Sequence, residues 1–149
     1  MDFHIITLAY NQLYIDCFLR YSFPSMLSPN NLPAISKIAD IQLHIYTRTN
    51  DEVYELSNTL DSLDPPIKWT VQTTPFPDNQ NDFWEHFIAN NPCPLLFSHG
   101  DSVWADGSLS YIVNSFIQGF DAIFPSVVPV TLETIVPEFD ALKKGAVLT

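Results

Sequence analysis

Hydrophobic and polar positions along the chain switch repeatedly between a period of two and a period near 3.6. Residues 3–9 (FHIITLA) are apolar and rich in β-branched side chains, which suits a first strand. From Tyr10-Asn11 the spacing becomes helical, with Tyr14, Cys17, Phe18 and Tyr21 on one face. Pro24 is expected to end or kink that helix, and residues 28–33 (SPNNLP) read as loop. Residues 41–47 alternate Ile41, Leu43 and Ile45 against Gln42, His44 and Tyr46, a second strand.

Thr49-Asn50-Asp51-Glu52 then matches a capping box, in which the first and fourth side chains satisfy each other's free backbone N–H groups. The helix it opens buries Val53, Leu56, Leu60 and Leu63 and stops at Asp64-Pro65-Pro66. Residues 67–73 alternate again, with Ile67, Trp69 and Val71 on one side. After a loop over 74–80, Phe83, Trp84, Phe87 and Ile88 mark a short helix that ends at Asn90-Asn91-Pro92. The short apolar run Pro94-Leu95-Leu96-Phe97 suits a strand covered on both faces. Leu109, Ile112, Val113, Phe116, Ile117 and Phe120 define a further helix face, residues 122–128 a fifth strand, and residues 133–142 a last helix despite Pro137.

Strand and helix in near alternation predict an α/β fold. The expected architecture is an open, mostly parallel sheet with helices on both faces, because parallel neighbours need crossovers. In such sheets ligands gather at the carboxyl ends of the strands, here the loops after Ala9, Thr47, Thr73 and Ser98. Residues 1–149 are read as one domain. The helix near the end is followed by Gly145-Ala146-Val147-Leu148-Thr149, an apolar run that stops at once, so the expectation is a fragment or a shortened form, incomplete at the carboxyl end.

Composition narrows the function. A net charge of -11 with only six Lys and Arg argues against nucleic acid and against an anionic membrane surface. No stretch is long enough to insert in a membrane as a helix, and the amino terminus has no signal-peptide pattern, so a cytoplasmic protein is the default expectation. Cys17 and Cys93 lack the spacing of a zinc site or redox pair and read as buried small apolar residues. The chain carries no GxGxxG, P-loop or GxSxG pattern.

Candidate chemistry concentrates in residues 94–107, PLLFSHGDSVWADG, where the apolar run breaks into polar and acidic residues. Asp101 is either a turn former or a contact to metal or ligand. Asp106 is either the cap of the following helix, a role open also to Ser108, or a ligand contact. His99, two residues before Asp101, is the one histidine placed for ligation. His4 and His44 fall within strands and His86 on a helix, where structural roles are expected.

Taken together, ITLAYNQLYIDCFLRYSFPSMLSPNNLPAI, LHIYT and HGDSVWADGSL resemble the amino-terminal half of bacterial glycosyltransferase-like proteins with the nucleotide-diphospho-sugar transferase (GT-A) fold, a Rossmann-like three-layer sandwich. The resemblance covers most of the chain in order. It implies a nucleotide-diphospho-sugar as partner, with Thr7, Ala9 and Tyr10 flanking the nucleotide and Thr47 at the second strand's end. It further implies Asp101 as the acidic-motif residue holding Mg²⁺ or Mn²⁺ against the donor's phosphates, with His99 and Asp106 as weaker candidates. The chain reads Asp101-Ser102-Val103, so the second carboxylate of the family's Asp-x-Asp is missing, and no catalytic base is identified. Two other readings stand beside it: a non-catalytic binding or assembly domain that keeps the fold, and a metal-dependent hydrolase using His99, Asp101 and Asp106. Aromatics left exposed by a missing carboxyl half would predict self-association.

Overall fold

A computed structural model describes residues 1–76, 78–123, 129 and 132–143. Its centre is a four-stranded sheet built from β1 (Asp2–Leu8), β2 (Asp40–Thr47), β3 (Lys68–Thr73) and β4 (Leu95–His99). The order across the sheet is β3-β2-β1-β4, and every pairing is parallel. The open α/β architecture with a parallel sheet expected from the alternation is therefore present. The fifth strand expected over 122–128 is not formed at Ala122 and Ile123, and the rest of that stretch lies outside the described residues.

Each face of the sheet has its own core. Phe3 and Ile5 of β1, with Ile41, Leu43 and Ile45 of β2, point to one face. There they meet Ile15 of α1 (Asn11–Cys17), Leu56 and Leu60 of α4 (Asn50–Leu63), and Leu109, Ile112 and Val113 of α6 (Ser108–Ile117). The short helices α2 (Phe23–Met26) and α3 (Leu32–Ile35) add Phe23, Met26, Leu32 and Ile35. On the other face Ile6, Leu8 and Tyr46 pack with Phe83 of α5 (Gln80–Asn90). The period of two sorts these side chains, since successive residues of a strand face opposite sides.

That division explains the strand order. The chain runs from β1 outward to β2 and β3 with its crossovers on one face. It then passes over the opposite face through α5 and returns to the far side of β1 as β4. A change of face reverses the direction of winding when crossovers keep one hand.

Several local expectations are met and others are corrected. Thr49 and Glu52 form the capping box: Thr49 Oγ1 accepts from Glu52 N at 3.2 Å and Glu52 Oε2 from Thr49 N at 3.1 Å. Pro24 does not end the first helix. Phe18–Ser22 widens into a π-helical turn just ahead of it, and winding continues through Met26. A wider turn accommodates a residue that lacks an N–H and crowds the preceding turn. Residues 28–33 are not all loop, because Leu32 and Pro33 begin α3 with the proline in the first turn, where its missing N–H costs nothing. Ile15 of α1 and Phe18, just past its end, are fully buried, whereas Tyr14 is 38% exposed and off the inward face. Cys17 is buried as expected, and Cys93 only partly so. The last helix, α7 (Leu132–Lys143), continues through Pro137.

Asp106 and Ser108 do not cap α6. The N-cap position belongs to Gly107 at φ 89°, a conformation in which a side chain would be strained. The first-turn N–H groups of Gly107 and Leu109 are instead satisfied from a distance by Asn31 Oδ1, at 3.0 Å each. Asn31 Nδ2 donates to the carbonyls of Ser25 and Ala105, so this fully buried side chain makes four hydrogen bonds. Asp106 turns away and accepts from Asn30 N and Nδ2, both at 2.8 Å.

His4 and His44 stack at 5.0 Å on the α5 side of the sheet, with His4 Nδ1 2.9 Å from His44 Nε2 and His44 Nδ1 2.9 Å from Thr70 Oγ1. Burial first, and then the charge of His4, hold the His44 pKa below its usual value. An N–H to N bond between the rings needs one of the two nitrogens unprotonated. The stability that His44 contributes is thus present above the unfolded pKa of about 6.5 and is lost as pH falls through the lower folded value.

Two outcomes follow for unfolding in urea. Asn31→Ala should cost about 3 kcal/mol by leaving buried groups unpaired, and Asp106→Ala about 1 kcal/mol; equal costs would restore Asp106 as the main cap. Wild type should lose stability between pH 7.5 and 5.5, and His44→Gln should lose clearly less; parallel losses in both would remove the histidine pair as the cause.

Candidate functional site

The reversal of strand order falls between β1 and β4, and the loops that leave both strands lead to helices on the same face of the sheet, α1 and α6. Such a point is where open α/β sheets leave a crevice outside the carboxyl ends of their strands. A cavity of about 280 Å³ occupies it. Leu8 and His99, paired in register at the ends of β1 and β4, form its floor, and Tyr10, Asn11 and Tyr14 come from the start of α1. Arg48, just past β2, and Gln80, first residue of α5, complete the lining.

Glu52 holds two of these loops together. Its Oε1 accepts from Asn11 N at 3.1 Å, and its Oε2 accepts from Arg48 N at 2.8 Å and Thr49 N at 3.1 Å. The capping carboxylate of α4 therefore also fixes the turn after β1. Asn11 needs that support because it sits at φ 62°, a region Asn tolerates better than most residues. Its Oδ1 accepts from Leu13 N and Tyr14 N and so starts α1. The guanidinium carbon of Arg48 lies over the Tyr10 ring, 5.0 Å from its centre, a cation–π contact between the two side chains.

On the β4 side, Gly100 follows His99 and packs against the end of β1 and against α1. Its N–H donates to Leu8 O at 2.8 Å. A Cβ at this position would lie 3.0 Å from Tyr14 O and 3.1 Å from Leu8 O, both backbone atoms that have little room to move. Only glycine lets the loop after β4 sit this close to the start of α1. Trp84 of α5 meets His99 edge to face at 6.0 Å, which steadies the exposed imidazole.

Of the residues suggested by the sequence, Tyr10 and His99 line the cavity. Thr7, Ala9 and Thr47 are fully buried in the packed strand ends. Thr7 Oγ1 has no hydrogen-bond partner, while Thr47 Oγ1 donates to Thr49 O at 3.2 Å. Asp101 is exposed in the turn after β4, outside the cavity lining. Its charge contributes, after burial, to raising the pKa of the nearby Cys17 thiol. Among the described residues no group of three His, Cys, Asp or Glu side chains is placed to hold a metal ion, so His99, Asp101 and Asp106 do not converge on one point. Asn11, Arg48, Gln80 and Tyr14 were not signalled beforehand. Arg48 is readable in principle as the residue directly after a strand and Asn11 as the start of the helical spacing, whereas nothing local marks Gln80.

A larger depression, about 580 Å³, lies at the opposite edge between Met1, residues 36–41 and residues 66–68. It faces the amino ends of parallel strands, and its Lys68 is bound to Asp40 at 2.7 Å. Among the described residues no helix is long and apolar enough to cross a membrane.

The class these features define is an open parallel α/β domain with a crevice at its topological switch point. No protein-family model matches the chain, and comparisons with curated proteins and with solved structures return no match.

Gly100→Ala should lower stability by about 1–3 kcal/mol by overpacking its contacts with Leu8 and Tyr14. Urea unfolding measures this, and an unchanged midpoint would show that the turn after β4 is free to shift away from Tyr14.

Proposed function

We propose that this domain binds a nucleotide-diphospho-sugar in the crevice between β1 and β4, as the donor-binding part of a glycosyltransferase. The observation that carries the reading is the position of the crevice. It opens at the carboxyl ends of β1 and β4, where the strand order reverses, with His99 in its lining two residues before Asp101. Its volume, about 280 Å³, is at the lower limit of ligand cavities, so it takes one portion of such a donor rather than the whole.

A divalent cation fits this reading only in a particular way. Mg²⁺ or Mn²⁺ at nucleotide sites is commonly held by one or two carboxylates with substrate phosphates filling the remaining positions. Asp101 is exposed and offers one carboxylate. The ion would therefore be held jointly by Asp101 and the diphosphate, and its charge would offset that of a leaving diphosphate.

One observation favours a second reading, a non-catalytic domain that keeps the fold for binding or assembly. Among the described residues no carboxylate lines the cavity, and the acidic motif is Asp101-Ser102-Val103 without its second acid. A lining with one imidazole, His99, and no carboxylate suits binding more than transfer.

Calorimetric titration of UDP and GDP, with and without Mn²⁺, tests the proposal. Nucleotide should bind, Mn²⁺ should tighten it, and Mn²⁺ alone should bind weakly. Asp101→Ala should abolish the tightening by Mn²⁺. Equal Mn²⁺ dependence in wild type and variant would remove the metal role, and absence of any nucleotide binding in folded protein would leave the assembly reading.

A further inference from the structure

We propose that His4 and His44 together form a binding site for a divalent transition-metal ion of the Cu²⁺ or Ni²⁺ class, on the face of the sheet that carries α5. Neither residue lines the crevice, and the inference does not depend on the nucleotide reading.

Strand register brings the two rings together. His4 and His44 lie on the neighbouring parallel strands β1 and β2, with His4 opposite Gln42 and His44 opposite Ile6. The apolar core under α5 takes in Ile6, Leu8 and Tyr46, and the two histidines are the next residues on that face toward the amino ends of the strands. Both are half-buried, so an ion can reach them while paired strands hold their backbones in place.

The spacing of the nitrogens carries the argument. His4 Nδ1 and His44 Nε2 are 2.9 Å apart. Two nitrogens bound to one ion at about 2.0–2.1 Å stand about 2.9 Å apart on adjacent corners of a square or octahedron, and roughly 3.3 Å apart in a tetrahedron. The pair therefore suits Cu²⁺ or Ni²⁺, which take tetragonal arrangements of nitrogen and oxygen, better than tetrahedral Zn²⁺. His44 Nδ1 lies 2.9 Å from Thr70 Oγ1, which can accept its N–H. Such an outer partner fixes the tautomer and leaves the lone pair on Nε2. When the ion binds, the Nδ1 proton of His4 passes through solvent to its own Nε2, and a turn of each ring aims both lone pairs at one point. Among the described residues no third His, Cys, Asp or Glu joins the pair, so the remaining positions fall to water.

The surrounding charge favours a cation. Asp2 and Asp40, partners in register, lie on the same face, two residues before His4 and four before His44. Lys68, on the same face, is already bound to Asp40 at 2.7 Å. The net charge of -11 adds an attractive field over the whole chain.

Calorimetric titration of Ni²⁺ at pH 7.5 tests the site, in the full chain without a polyhistidine tag, with circular dichroism to check that each variant is folded. Wild type should bind one Ni²⁺ and unfold at a higher temperature in its presence. His4→Gln and His44→Gln should each bind at least about ten-fold more weakly, and Thr70→Val, which keeps both ligands but loses the outer bond, should fall between. Absence of Ni²⁺ binding by wild type would overturn the inference. So would binding equal to wild type in a folded His4→Gln or His44→Gln, since the ion would then sit elsewhere, on His86, His99 or the amino terminus.

Discussion

Pairing of β1 on both sides is the constraint from which the rest of this structure follows. Its backbone bonds to β2 on one edge and β4 on the other, with all three strands parallel, so every link between them must cross a face of the sheet. Phe3, Ile5 and Ile6 can be fully buried only because both faces are then covered. The crevice opens at the carboxyl ends of β1 and β4, on the side of β1 where the strand order reverses.

What makes the crevice definite is a small set of fixed contacts around that opening. Glu52 ties the turn after β1 to the turn after β2, and Gly100 lets the turn after β4 rest against the carbonyls of Leu8 and Tyr14. These devices join loops that are distant in sequence to the same rigid strand ends. Asn31 does comparable work, joining the segment before α3 to the start of α6 through three hydrogen bonds, with a fourth to Ser25. Long-range ties of this kind position side chains on loops more firmly than loop sequence alone.

The elements themselves were legible because their signals are local. Alternation in residues 41–47 and the Thr49 to Glu52 box predict a strand and a helix start, and both are present. Signals that depend on tertiary partners were not legible. Asp106 has the composition of a cap, yet the cap is Asn31, more than 70 residues away. Pro24 has the chemistry of a helix breaker, yet a π-helical turn absorbs it. For the site, the strand-end rule led to His99 and the family resemblance to Tyr10, which line the cavity, and the resemblance also to Thr7, Ala9 and Thr47, which are fully buried. Counting to the end of a strand finds the edge of the sheet but does not say which residue of the turn faces outward. Arg48, one position beyond Thr47, illustrates how small that difference is.

The central claim is that ligand binds at the carboxyl ends of β1 and β4. The most direct measurement is the pattern of backbone amide NMR shifts as UDP is added to isotopically labelled protein. The account predicts that the largest changes fall on Tyr10, Asn11, Arg48, His99 and Gly100, with little change around Met1, Lys37 and Lys68. Changes centred on those last three residues, or a saturable response that leaves the crevice untouched, would contradict it.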